Sequence, residues 1–544
     1  AYAVNPRGAD APRSPQTLAE EHFVSSPLPG TAPLSPVTRW LVLAVAAIGF
    51  LFDTYELLMF PVIGAQAVAE LLQVEQTSDA VRQWGGRMLW IAALAGGVFG
   101  LLGGFMVDRF GRKTVMVGSI LVYSISPVAA AYSTELWHLV LFRCTTFIGV
   151  CVEAVAAVAW LAELFEDKRQ RERAIGWTLA FASLGGILVT EVFNEIVDHL
   201  KAHPGGVSWL NDPGIGATAW RYTLLTGLIP GALILVLMPF VPESRVWRAR
   251  KVAGTLKRPS LAELFSPELR RTTVVTTILS ACGYAAAFGA LQLGPLVMAA
   301  GLPAVNEVRK EHGPAVKGAQ AKLKAADKKL EEASEGDKKA AEAEQKAAKK
   351  ELGAAQKPIA DEINERRGKM QRWQEIGGLL GRILFAVLVV YVASRVLIRS
   401  FLLPGLVLFP LTYYVLYQGD FALFAVAVFF CGLVTVAQFS YISEYLPKVF
   451  PLHLRGTGSA FATNVGGRMF GTMAATLNTE FLSALFLRGA GPEQNPLRVA
   501  TAAAIIGGVV YAVALVTSFL LPEPREEAPA PPAAPGAAAE QQSA

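Results

Sequence analysis

Asp53 and Glu56 stand three residues apart inside an apolar run, Gly49-Phe50-Leu51-Phe52-Asp53-Thr54-Tyr55-Glu56-Leu57. That spacing puts both carboxyls on one face of a helix. An ionisable group at membrane depth costs about 2.5–3.5 kcal/mol even on the lenient scale, so it faces a bundle interior and is kept for a task. Two acids side by side give one of them a proton to take up near neutral pH. The alternative role is an acid that packs its helix against an arginine. Arg143 and Glu153 lie ten residues apart in another apolar run. Arg143 is the obvious partner for Asp53 or Glu56, and releasing such a pair on protonation would couple a proton to a conformational change. Glu191, Gln292, Asn464 and Arg468 are further polar residues inside apolar runs. Each could face substrate or hydrogen-bond one helix to another.

Enzyme chemistry has no foothold. The chain contains no H-E-x-x-H, G-x-S-x-G or G-x-x-x-x-G-K-[ST] and no paired cysteine ligands, so neither a cofactor nor a metal site is expected. His138, His199 and His453 fall at run ends, where interfacial roles suffice. Cys144, Cys151, Cys282 and Cys431 all lie in apolar runs and read as small buried hydrophobes. Without a nucleotide-binding loop, any work must be driven by a gradient.

The elements that must position these residues are membrane spans. Of 544 residues, 53% are hydrophobic and 17% charged, and the mean hydropathy is +0.40. The apolar residues gather into twelve runs long enough to cross about 30 Å of hydrocarbon, at about 39–64, 86–107, 114–133, 136–162, 173–198, 220–241, 272–299, 375–396, 400–417, 421–446, 457–486 and 498–521. Lys and Arg crowd alternate connections (Arg109–Lys113, Lys168–Arg173, Arg245–Arg271, Arg395–Arg399), whereas the opposite short loops nearly lack them. The net charge of +5 therefore reflects topology and not a nucleic-acid partner. By the positive-inside rule both termini are expected on the cytoplasmic side of a plasma (inner) membrane. The first run is too long and too acidic to be a cleaved signal peptide.

Between the second and third runs stands Gly104-Phe105-Met106-Val107-Asp108-Arg109-Phe110-Gly111-Arg112-Lys113. This G-x-x-x-D-R-x-G-R-K elbow resembles the loop 2–3 signature of the major facilitator superfamily of transporters. The F-D-x-Y-E string around Asp53 resembles span one of its metabolite:proton symporters. Arg143, Gly149 and Glu153 resemble the span-four motif of the same branch, with Phe147 and Cys151 where two glycines are usual. Pro242-Glu243-Ser244-Arg245-Val246-Trp247 is similar to the end of the first half in sugar-porter-like members, where it would end a helix and anchor it at the interface through Trp247. The resemblance implies an all-α membrane protein of twelve helices in two six-helix bundles. Its polar centre would alternate in access, with Gly104, Asp108, Arg109, Gly111 and Arg112 as a gate. Glu163 with Arg173 and Glu444 with Arg455 repeat after spans four and ten, as a two-half transporter requires. The second elbow, Ser394–Arg399, has lost its acid and glycine.

Residues 304–372 interrupt this pattern with 17 Lys+Arg and 13 Asp+Glu among many alanines. Val316, Ala319, Leu323, Ala326, Leu330 and Ala333 make a coiled-coil seam, and Ala341, Ala348, Leu352, Ala355 and Ile359 a weaker returning one interrupted at Pro358. A helical hairpin on the external side is expected, mobile or docked on an external protein or on its own transporter; a charged linker is the alternative. The expected organisation is a disordered tail (1–38), a first bundle (39–242), a linker with a short interfacial helix (243–271), a first helix of the second bundle (272–303), the hairpin (304–372), the rest of that bundle (373–521) and a second disordered tail (522–544). The function this predicts is secondary transport of a small polar or anionic metabolite, coupled to protons, across a lipid bilayer. A membrane sensor displaying the hairpin on a transporter-like body is the alternative.

Overall fold

Backbone buried in hydrocarbon finds no water, so each apolar run must pair its own N–H and C=O groups as a helix. The computed structural model describes residues 35–164, 178, 181–203, 205–207, 217–253, 260–334, 337–451, 454–486, 489 and 491–522, with backbone alone at 36, 162, 164, 246, 250, 441–444 and 447. All regular structure among the described residues is helical. The expected tails fall almost wholly outside them, as do Arg173 and His453.

The first bundle holds α1 (Pro36–Leu72), α2 (Asp79–Phe110), α3 (Arg112–Ala131), α4 (Leu136–Leu164), α5 (Leu184–Ala202) and α6, a broken helix of Ala219–Leu225 and Leu228–Leu237. The α1 N-terminus is set by Ser35, whose hydroxyl accepts from Thr38 N at 3.1 Å, with Pro36 opening the first turn. It runs on to Leu72, beyond the apolar run that suggested an end near 64, and stops at Gln73 in the left-handed region (φ 55°). The second bundle holds α7 (Arg270–Ala286, prolonged by a π-turn at Ala287–Leu291 and by Leu293–Leu296), the hairpin helix α8 (Pro303–Glu332) and α9 (Lys338–Leu388). It continues with α10 (Ser394–Pro410, then a π-turn at Leu411–Leu416), α11 (Phe421–Glu444), α12 (from Arg455–Phe461 through π-turns at Ala462–Gly471 and Leu477–Leu482) and α13 (Asn495–Ser518).

Among the described residues, nine helices are long and apolar enough to cross a membrane by themselves: α1–α4, α6, α7, α10, α11 and α13. The polar helices α5, α9 and α12 take their places inside the bundles by packing. Each carries the charges and amides that face the other half, including Glu191, Arg372, Glu375 and Arg468. In the first half α1 packs on α5, α2 on α4 and α3 on α6; in the second α7 packs on α12, α9 on α11 and α10 on α13. The halves meet through α2 on α12 and, by the same rule, α5 on α9. This repetition is the two-bundle architecture the sequence suggests. Small residues make the close approaches possible, as where Gly96 of α2 meets Phe147 O of α4 and Gly471 of α12 meets Ala281 O of α7.

The hairpin is helical on both sides. Val316, Ala319, Ala326, Ala341 and Ala348 are buried along its seam, and Lys322–Glu351 (2.5 Å) and Lys329–Glu344 (2.6 Å) cross it. Pro358 does not interrupt it: α9 runs unbroken for 51 residues from Lys338 into the bundle. A proline costs one helical hydrogen bond and a local clash, and long packed stretches on both sides hold the helix through it. Within the linker, Leu261–Phe265 is a single 3₁₀ turn; Leu264 is buried and the Phe265 ring meets Phe461 at 5.4 Å.

Candidate functional site

Asp53 and Glu153 come together. Asp53 is buried on α1, and its carboxyl lies beside that of Glu153 of α4. Glu153 is fully buried, with Oε1 2.5 Å from where a side chain on Gly49 would begin, so glycine one turn before Asp53 makes room for it. Neither Glu153 oxygen, nor Asp53 Oδ1, has a hydrogen-bond donor. Two adjacent buried carboxyls without donors can share one proton between them, which makes this pair a place to hold and release one. Glu56, also fully buried without a donor, turns instead toward Gly227 at the break in α6 and Pro127 of α3. The Tyr123 and Ser124 hydroxyls, buried and unpaired, complete this polar interior.

Arg143 does not ion-pair with Asp53 or Glu56 as the sequence led us to expect. Its guanidinium donates to the backbone carbonyls of Glu56 (2.7 Å) and Leu57 (2.8 Å) and lies over the rings of Phe60 (5.4 Å) and Phe147 (4.8 Å). The planar fork reaches two successive carbonyls where Pro61, lacking an N–H, leaves one of them without its helical donor. Arg143 thus fastens α4 to α1 and sets the register that brings Glu153 to Asp53.

From the second bundle, Arg468 of α12 lies close enough for its charge to act on Asp53. Arg468 donates to Asn464 Oδ1 at 2.6 Å and lies beside Tyr284 of α7. Asn464 in turn packs its amide on Gly100 of α2, with Oδ1 2.5 Å from the position a side chain would need. Both residues ride the π-turn of α12, a local widening that recurs at functional sites. Gln292 follows the π-turn of α7 and approaches Glu375 of α9. Sequence reading missed Glu375, because it marks the edge of its apolar run. Glu375 is buried and accepts from Gln371 Nε2 (2.8 Å) and Gln374 Nε2 (3.0 Å), while Arg382 lies two turns on along the same helix. The spacing 371, 374, 375, 378, 382 was a legible signal: one helical face of amides, an acid, a glycine and an arginine.

At the elbow, Gly111 has φ +99°, which only glycine adopts readily, and the turn it makes is filled by Glu243. Glu243 accepts from the backbone N–H groups of Arg112 (3.0 Å) and Lys113 (3.1 Å), capping α3. Arg112 is buried and forks onto Glu163 (2.7 and 3.1 Å), with Asp108 at 3.2 Å. Ser244 donates to Glu163 at 2.5 Å. Trp247 is buried against the elbow, its indole N–H donating to Asp108 O at 2.7 Å; it is not an interfacial anchor, because its N–H finds a fixed carbonyl inside the fold. Gly104 does not mediate a close approach, since open space lies where its side chain would be. Arg109 stands over Phe110 at 5.8 Å. Arg455 opens α12, and the Glu444 side chain and Arg173 lie outside the described residues.

The opposite face is held shut between the bundles. Glu191 belongs here and not to the polar centre: it forms a two-pronged ion pair with Arg372 of α9. Arg87 of α2 pairs with Glu480 of α12, Arg82 donates to Thr479 O and to Ser483 (2.9 Å), and Asn495 donates to Thr77 O at 2.8 Å. This face carries the hairpin; the elbow lies at the other end of α2.

The sequence profile of the Major Facilitator Superfamily matches residues 41–308. The 4-hydroxybenzoate transporter PcaK of Pseudomonas putida is 32% identical over 180 residues, 33% of this chain and 36% of that protein. The arabinose-proton symporter of Bacillus subtilis is 25% identical over 216 residues, 34% of this chain and 44% of that protein. The chain thus spans less than half the length of these curated relatives. Over nearly its whole length it is similar in fold to the inward-open xylose transporter XylE of E. coli (TM-score 0.55, 16% identity, 89% of this chain and 96% of that one). A bacterial homologue of the human lysosomal transporter Spinster, inward-facing and occupied, matches at TM-score 0.57 with 14% identity, over 90% and 97% of the two chains. Residues 41–308 thus belong to the major facilitator superfamily, both bundles share the fold of these transporters, and the chain is a multi-pass membrane protein.

Proposed function

We propose that the protein is a secondary transporter that carries a small polar or anionic metabolite together with protons by alternating access. The observation that carries this reading is the Asp53–Glu153 carboxyl pair, buried in the first bundle within electrostatic reach of Arg468 in the second. A proton on the pair weakens its attraction for Arg468. That cation is then available to an anionic solute, so loading proton and solute together neutralises the centre and lets the halves rock. Relatives named as transporters of 4-hydroxybenzoate and sialic acid support the solute class, and one named as an arabinose-proton symporter supports the coupling. The elbow face, rich in Lys and Arg, is placed on the cytoplasmic side and the hairpin outside, in a plasma (inner) membrane.

Uptake by proteoliposomes under an imposed pH gradient tests the proposal. A panel of hydroxy acids and sugars should include at least one solute accumulated when the outside is acidic. Collapse of the gradient by a protonophore should abolish that accumulation. Equal uptake with and without the gradient would remove proton coupling, and no flux for any solute would favour the sensor reading.

A further inference from the structure

The hairpin is covalently part of the second bundle, yet it fastens to the first. Gln320 of α8 donates to Glu75 Oε1 in the α1–α2 connection at 2.8 Å. Farther down, α9 meets α5 at Glu365 with Lys201 (3.7 Å), at Gly368 with the Asn194 amide, and at Arg372 with Glu191. Between these contacts lies Arg367, a fully buried arginine. Its Nε donates to Pro295 O at the end of α7 (2.9 Å), Nη1 to Asn364 Oδ1 (2.8 Å) and Nη2 to Gln76 Oε1 (2.7 Å). Two of these acceptors belong to the second bundle; Gln76 belongs to the first.

A buried cation held by neutral acceptors keeps its place only while those acceptors are present. Parting the bundles at the hairpin face takes Gln76 away from Arg367 and, in the same movement, Glu191 from Arg372 and Glu75 from Gln320. Because α9 is one helix from Lys338 to Leu388, the element that carries Arg367 and Arg372 also carries Glu375 and Arg382 into the polar centre. We propose that the hairpin is an intramolecular strap across the two bundles, with Arg367 as its pin and positioning residue, and that it biases the resting transporter toward closure of the hairpin face. This deepens the alternating-access reading and rests on it.

The test uses the full chain in lipid nanodiscs, with the four native cysteines replaced by alanine and spin labels on cysteines at Ala202 and Glu493. These exposed positions flank the hairpin face on opposite bundles and outside the hairpin. In the parent a short separation should dominate. Gln76→Leu should shift the ratio of short to long separations toward long by about tenfold, the size a hydrogen bond to a charged group supplies. Gln76→Glu, which offers Arg367 a carboxylate, should shift it the other way. A merely structural contact would not give opposite signs from two substitutions at one surface loop. Asp108→Asn at the elbow is the control that the bundles rock. If it changes the ratio while both Gln76 variants keep the parent's distribution, the strap is overturned and alternating access stands. One separation in every variant, Asp108→Asn included, would overturn both.

Discussion

Two carboxyls side by side inside a membrane bundle can share a proton that is bound in one half of a transport cycle and released in the other. At the residue scale this separates Asp53 from Glu56, which the sequence offers as equals. Asp53 meets Glu153 and lies within reach of Arg468, whereas Glu56 turns into the first bundle. Asp53→Asn should therefore abolish accumulation driven by a pH gradient and leave counterflow of solute between preloaded vesicles, since the amide mimics a protonated acid. Glu56→Gln should leave accumulation within about threefold of the parent, as expected of a group that does not face the second bundle. Accumulation that persists in Asp53→Asn and vanishes in Glu56→Gln would reverse the assignment. Glu375→Gln is the corresponding test in the second bundle. Its three amide neighbours all approach the carboxyl, so the substitution should raise the solute KM with little change in the amount of folded protein, read by direct binding beside uptake.

At the scale of elements, the elbow is a capping device as well as a gate. Glu243, 131 residues past Arg112 in sequence, caps α3 and fills the turn that Gly111 makes. Gly111→Ala forces a side chain into a positive-φ turn already occupied by a carboxylate, which should destabilise the first bundle by about 1–3 kcal/mol and lower its unfolding temperature in detergent. Asp108→Asn should instead slow transport with an unchanged unfolding temperature, because its Arg112 also holds Glu163. The hairpin obeys a different rule. Its seam is mostly alanine, too thin for an isolated pair of short helices, and it is ordered by its fastening to both bundles. Replacing residues 310–362 by a short Gly/Ser loop should leave the spans folded, since loop closure costs little. Uptake should continue in purified liposomes, with the Arg367 pin still in place; complete loss of uptake in a well-folded protein would make the hairpin part of the transport path.

At the scale of the whole molecule, the structure pairs a sealed hairpin face with bundles that share few large surfaces elsewhere than α2 on α12 and α5 on α9. Glu375 presses on Gly186 at the second of these contacts. Gly186→Ala should wedge α5 from α9 and favour the open hairpin face, measured as faster labelling of a cysteine at Glu191 by a membrane-impermeant maleimide than in the same cysteine variant with glycine kept. What the sequence by itself determined is the part governed by local physics. Hydrocarbon-length apolar runs compel helices, the elbow residues and span-one acids identify the architecture, and the alanine-and-lysine insertion reads as a helical hairpin. The roles of Arg143, Glu191, Trp247 and Glu375 could not be read in that way. Each depends on a partner from another helix: the carbonyls of Glu56 and Leu57 near Pro61, Arg372, the elbow carbonyl of Asp108, and, for Glu375, Gln292 beside two glutamines of its own helix. A span's sequence states that a charge is present and on which face of its own helix it stands. Which group answers it is set only when the bundles pack, because burial makes every unpaired charge costly and tertiary contact alone decides how that cost is met.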